Sequence, residues 1–176
     1  MLILKENMTY RFEKATMDQA GEIWQILAEA IVRRKADGSN QWQDGYPNLE
    51  VVKSDLSQGY GYVIMADQAI AGYCAILIND EPAYEDIEGA WLSAGDFVVF
   101  HRVAVAKQYL GKGIARLMLG YIDEFALKSN IFSVRADTNF DNLAMLALFE
   151  KTGYHYCGAV HFRGSPRKAF EKLLRP

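Results

Sequence analysis

Residues 97–114 read FVVFHRVAVAKQYLGKGI, and the organisation of the chain follows from how that run is parsed. Its first nine residues, Phe97 to Val105, are dense in β-branched and aromatic side chains, as in a buried strand. From Gly111 the period changes. Ile114, Leu117, Met118, Tyr121, Ile122 and Phe125 recur at three and four residues, which lines one face of a helix running to Ser129. Ile131 to Ala136 reads as a strand again. A strand, a helix and a strand in this order form a parallel pair joined by a crossover. The turn between Ala106 and Gly113 then lies where helix amides and the positive end of the helix dipole can take an anion. Gly111 and Gly113 remove side chains that would hold a phosphate away from the backbone.

Working outward, Tyr10 to Lys14 reads as a strand, and Thr16 with Gln19 makes a capping box. A helix follows, with Ala20, Ile23, Trp24, Leu27, Ala30 and Ile31 on one face, and the turn cluster from Asp37 to Asn40 ends it. The aromatic loop Trp42 to Pro47 precedes a short helix marked by Leu49, Val52 and Leu56. Tyr62 to Ala66 and Ala69 to Ile78 form a hairpin around Asp67-Gln68. Residues 79–95 carry acids, a proline and glycines and read as an insertion. Beyond the central unit, Asp141 is the expected N-cap of a helix through Lys151, with Gly153 as its stop. Tyr154 to Phe162 reads as a strand. Arg167 to Leu174 reads as a strand too, although Ala169, Glu171, Lys172 and Leu173 also suit a helix. The order β-α-α-β-β-β-α-β-α-β-β predicts an α+β fold, a three-layer α/β/α arrangement about a mixed, mostly antiparallel sheet.

With 176 residues, about half of them apolar, and no internal repeat, the chain fits one domain spanning 1–176. A net charge of −3 argues against a general nucleic-acid binder, which needs a concentrated basic surface. Cys74 and Cys157 form no CxxC and no Cys/His cluster for zinc, so no metal is expected and both read as buried free thiols. Lys5 comes too early for a secretory core, and no stretch approaches the roughly 20 apolar residues that span a bilayer. The expectation is a cytoplasmic protein without a membrane partner.

Two phosphate motifs fail on spacing at the central turn. A P-loop needs G-x-x-x-x-G-K-[S/T], and the dinucleotide fingerprint would need glycine where Arg116 stands. What remains is Q-x-x-G-x-G after Val103-Ala104-Val105. In this the chain resembles the GCN5-related N-acetyltransferase (GNAT) superfamily, whose signature is [Q/R]-x-x-G-x-[G/A] between a strand and a long helix. A second match lies downstream. Asn142, Met145, Leu148, Phe149, Lys151, Gly153 and Tyr154 are similar to the family's N-x-x-A-x-x-L-Y-x-K-x-G-F, with Met145 in place of alanine and Phe149 in place of tyrosine.

The resemblance implies the acyl-CoA N-acyltransferase fold and transfer of an acetyl group from acetyl-CoA to a primary amine. The amine would belong to a small molecule and attack directly in a ternary complex; a protein or peptide acceptor, or a non-catalytic acyl-CoA sensor, is the alternative. It places the pyrophosphate on Gln108, Tyr109, Leu110, Gly111, Lys112, Gly113 and Ile114, with Lys107, Lys112 and Arg116 as counter-charges for the 3′-phosphate. The pantetheine arm would run along Val103, Ala104 and Val105 where two strands splay, touching Asn139, Asn142, Phe149 and Lys151. His101 is the expected base, because strand parity puts it on the face of Val103 and Val105 and arylalkylamine N-acetyltransferases are similar here. Phe149 has no proton to give, so an acid would come from Tyr154 or Tyr156, or from solvent. Trp42 and Tyr46 are expected in the acceptor pocket, and His155 and His161 carry no assigned role. Small members are often dimers, so a homodimer is compatible with the resemblance.

Overall fold

A computed structural model describes residues 8–175; the reading of Met1 to Lys5 lies outside them. Among the described residues there are eight strands and four α-helices. The strands are β1 (Tyr10–Lys14), β2 (Gly61–Ala66), β3 (Ala69–Ile78), β4 (Glu88–Gly89), β5 (Val98–Val105), β6 (Ser133–Thr138), β7 (His155–Phe162) and β8 (Ser165–Leu173). The helices are α1 (Ala20–Ala36), α2 (Leu49–Ser57), α3 (Ile114–Lys128) and α4 (Leu143–Lys151). One sheet runs β1-β2-β3-β5-β6-β8-β7-β4. All its pairings are antiparallel except β5 with β6, so the expected mixed, mostly antiparallel sheet is present.

The central strands are apolar on both faces because both are covered. Val63, Ile64, Ile70, Tyr73 and Val98 are buried to within 1% of complete. On one face the Tyr73 hydroxyl donates to Asp55 of α2 at 2.7 Å. On the other, Gly72 lets α3 lie directly on the sheet, since a Cβ there would stand 3.1 Å from Ile114 Cγ2 and from Met118 Cε. Phe149 of α4 packs edge-on to Phe100, ring centroids 6.3 Å apart, and is fully buried. Cys74 and Cys157 are free and buried, as expected.

Two expectations change, and an open choice between strand and helix is settled for the strand. Residues 79–95 are not a plain insertion: they contain β4, which pairs with β7, and Tyr84 anchors a second small core with Val99, Val160 and Ala169. A two-residue strand leaves no periodicity to read. The stretch from Arg167 is a strand, paired on both sides with β6 and β7, so tertiary pairing overrides the helical preference of its residues. Asn142, not Asp141, caps α4: its side chain accepts from Met145 N.

Candidate functional site

The parallel ladder between β5 and β6 is short. It pairs Val98 with Val134 and Val99 with Arg135 and then stops. Beyond that point β5 continues along β3 to Val105, while β6 continues along β8 to Thr138. The strands part, and α4 and the end of α1 flank the gap. Its inner part, about 60 Å³, is lined by Phe100, His101, Arg102, Asp137, Thr138 and Phe149 among others. Its outer part, about 190 Å³, reaches Arg33, Arg34, Val105, Leu110, Ala115 and Leu148. Trp42, Val103, Asn142 and Met145 line both, which makes them one cleft.

At the outer end the turn before α3 is built to expose amides. Gly111 and Gly113 have φ of +74° and +78°, a region costly for residues with a Cβ, and nothing stands within 4 Å of where a Cβ would be. Gly113 is the N-cap and offers no side chain, so among the described residues the amides of Ile114, Ala115 and Arg116 have no protein acceptor. Gln108, Lys112 and Gly113 are exposed, whereas Tyr109 and Ile114 are buried and pin the turn from beneath. The first satisfied amide is Leu117, donating to Gly113 O at 2.9 Å. Arg33 and Arg34 of α1 bring charge to the same end. Sequence reading missed them because they look like an ordinary basic helix terminus. Arg33 Nη2 donates to Val105 O at 2.8 Å, so one backbone acceptor expected to face the cleft is already occupied. Burial, with help from Arg34, holds the Arg33 guanidinium below its ordinary pKa.

At the inner end β5 carries a bulge. Ala75 pairs with His101 and Tyr73 with Ala104, so Arg102 and Val103 together face Cys74, and Arg102 takes φ +57°. His101 therefore shares a face with Ala104, not with Val103 and Val105. The extra residue breaks the expected strand parity, yet His101 still lines the cleft. Its Nε2 lies 2.8 Å from Glu81 Oε2, an approach too bent for a directed hydrogen bond, and its Nδ1 lies 3.9 Å from Asp137 Oδ2. Burial pushes the Glu81 carboxyl up, but His101, the Ala83 amide and Arg102 together outweigh it and hold it below the usual value. Arg102 Nε and Nη2 donate to Asp55 at 2.9 and 2.6 Å, and Nη1 donates to Tyr46 Oη at 2.5 Å. Arg102, Asp55, Glu81 and Asp137 were given no role from sequence, since a lone charge carries no marker of the partner that folding brings to it.

Other expected residues fall in different places. Asn142 walls the cleft, but its amide is spent: Oδ1 accepts from Arg34 at 2.8 Å and from Met145 N, and Nδ2 donates to Gln41 Oε1 at 2.8 Å and Thr138 Oγ1 at 3.2 Å. Asn139 is buried outside the cleft walls, its amide donating to Asp141 Oδ1 at 2.7 Å. Lys151 is exposed at the far end of α4. Tyr154 is the clearest correction. It stands behind Phe149, ring centroids 5.0 Å apart, and borders a separate hollow with Tyr156 and Phe170. Its hydroxyl has no partner among the described residues, and burial with the nearby Asp123 charge raises its pKa well above the ordinary tyrosine value. It has no access to chemistry in the cleft. Trp42 and Tyr46 do reach the inner end, and Arg163 lies over the Tyr46 ring at 4.3 Å while pairing with Asp44.

The acetyltransferase (GNAT) family model matches residues 21–154. This chain belongs to the GNAT acetyltransferase family. A GNAT-family acetyltransferase from Streptococcus agalactiae 2603 is 32% identical over 97% of this chain and 100% of its own, with a TM-score of 0.88. One from Listeria monocytogenes 4b F2365 is 17% identical over 98% of this chain and 99% of its own, with a TM-score of 0.77, and shows the shared fold. No curated protein sequence matches the chain. Acyl transfer from acetyl-CoA is the general chemistry of GNAT acetyltransferases, and in this one the splayed strands, the uncapped helix and the histidine lie along one cleft.

Proposed function

We propose that this chain is an acetyl-CoA-dependent N-acetyltransferase that acts on the primary amine of a small molecule by direct attack in a ternary complex. The observation that carries the reading is the parting of β5 from β6 after Val99. It opens a cleft with unsatisfied helix amides at one end and His101 between two carboxylates at the other.

The residues present suit acetyl-CoA. The open cradle at Gly111 and Gly113 and the amides of Ile114, Ala115 and Arg116 accept the pyrophosphate. The β5 edge from Val103 to Val105 accepts the pantetheine arm in the manner of an added strand, with Met145 and Leu148 opposite. An alkylamine has a pKa near 10 in water, so roughly one molecule in a thousand is neutral at pH 7. His101 takes the proton that the nitrogen sheds as its bond to the acetyl carbon forms and the carbon–sulfur bond breaks. Glu81 and Asp137 balance the charge of the imidazolium. Phe149 gives no proton and Tyr154 is sealed behind it, so CoA departs as the thiolate and is protonated by solvent. A free thiol pKa of about 8.5 makes that departure feasible.

The test follows thiol release from acetyl-CoA across a panel of small amines, amino acids and peptides. Turnover on small amines with slower or no turnover on peptides is the expected result. Stabilisation by CoA without turnover on any amine favours an acyl-CoA sensor instead.

A further inference from the structure

Arg167 of β8 reaches the inner cleft with its side chain 12% exposed. Its guanidinium makes no hydrogen bond to any described residue: Nε is buried without a partner, and Nη1 stands 3.7 Å from Asp137 Oδ1, too far for one. A mostly buried arginine whose Nε finds no acceptor is uncommon, because a buried donor forfeits the water it gave up. The other arginines nearby are committed. Arg102 is held by Asp55 and Tyr46, and Arg163 by Asp44.

We infer that the acceptor carries a carboxylate as well as its amine, and that Arg167 binds that carboxylate; this rests on the acetyltransferase reading above. Asp137 fixes the spacing. One of its oxygens is 3.7 Å from Arg167 and the other 3.9 Å from His101, so the two groups flank one carboxylate, within the reach of a single small molecule. The charges are ordered to match. Glu81 and Asp137 favour an amine beside His101, and the Arg167 guanidinium, which donates a hydrogen bond to no described residue, favours a planar, bidentate anion at the other end. A phosphate, with a charge of −1.5 to −2 at neutral pH, meets more repulsion from the same two carboxylates than a singly charged carboxylate does. Arg167 also borders a second hollow of about 330 Å³ lined by Asn40, Gln43, Asn139 and Ser165, among others, which leaves room for a polar side chain.

The experiment compares an amino acid, its amide, its decarboxylated amine and the matching aminoalkyl phosphate as acceptors, with the intact protein and with Arg167→Gln and Arg167→Lys. The amino acid is expected to have a kcat/KM at least tenfold above the other three. Arg167→Gln is expected to raise the KM for the amino acid by tenfold or more and erase its advantage over the amide, with the KM for acetyl-CoA unchanged, and Arg167→Lys to recover part of the loss. Equal use of acid and decarboxylated amine by the intact protein, a preference for the phosphate, or equal losses on acid and amide in Arg167→Gln would overturn the carboxylate while leaving acetyl transfer standing. No turnover on any amine overturns both.

Discussion

At Arg102 the backbone adopts φ +57° and β5 spends two residues opposite Cys74 alone. That bulge lets His101 approach Glu81 and Asp137 while Arg102 turns to Asp55. His101→Ala is expected to lower kcat roughly a hundredfold, the lower range for loss of a general base, and to leave the KM for acetyl-CoA within about twofold. Steady-state kinetics with each substrate varied checks it, and equal loss of CoA affinity would make His101 structural. Asn142 is a different kind of residue. Its amide joins α1, the Gln41 loop, β6 and the start of α4, so Asn142→Ala should cost about 2–3 kcal/mol in urea unfolding, a lost cap plus unsatisfied partners. Both residues were visible in the sequence as candidates. Their partners were not, because Glu81, Asp137, Gln41 and Arg34 are brought in from distant elements by pairing that no local pattern records.

Elements set where these residues stand. Asp141 ties the loop after α1 to the start of α4, accepting from Ser39 Oγ at 2.6 Å, Asn40 N at 2.9 Å and Asn139 Nδ2 at 2.7 Å. Burial pushes its carboxyl up, but those donors outweigh it and the pKa falls below the ordinary 3.8. A lowered carboxylate pKa contributes stability that is fully present above the unfolded value and is lost as pH falls through the folded one. Acid unfolding should therefore steepen below about pH 4, and Asp141→Asn should lower the melting temperature at pH 7 and flatten that dependence. The 79–95 segment depends on Glu171, which is fully buried and accepts from Ser133 Oγ at 2.6 Å, Leu92 N at 2.5 Å and Ser93 Oγ, with Arg135 Nε 3.5 Å away. Glu171→Ala strands the buried Arg135 charge and should cost roughly 3–5 kcal/mol. It should also reduce kcat by loosening Glu81, seen as a loss larger in kcat than in the KM for acetyl-CoA. Helix and strand periods made the long elements legible from sequence, β8 alone being left between strand and helix, whereas β4, two residues long and held by β7, had no period to display.

For the whole molecule, the cleft is a product of topology. A parallel pair inside an otherwise antiparallel sheet can separate at one end because each strand keeps its outer neighbour, β3 for β5 and β8 for β6. The family was legible in two short motifs, Gln108 to Gly113 and Asn142 to Tyr154, since both encode backbone geometry that few sequences supply. The surroundings of His101 were not, since they depend on how segments far apart in sequence converge. The central claim is that acetyl-CoA lies in this cleft with its pyrophosphate on the start of α3. Calorimetric titration with acetyl-CoA of the intact protein and of Gly111→Asp tests it most directly, because aspartate tolerates a positive φ better than most residues and has open space around it. Saturable one-to-one binding by the intact protein, and its loss in a Gly111→Asp protein that still melts cooperatively, is the predicted result; no binding by the intact protein, or undiminished binding by the variant, would contradict the account.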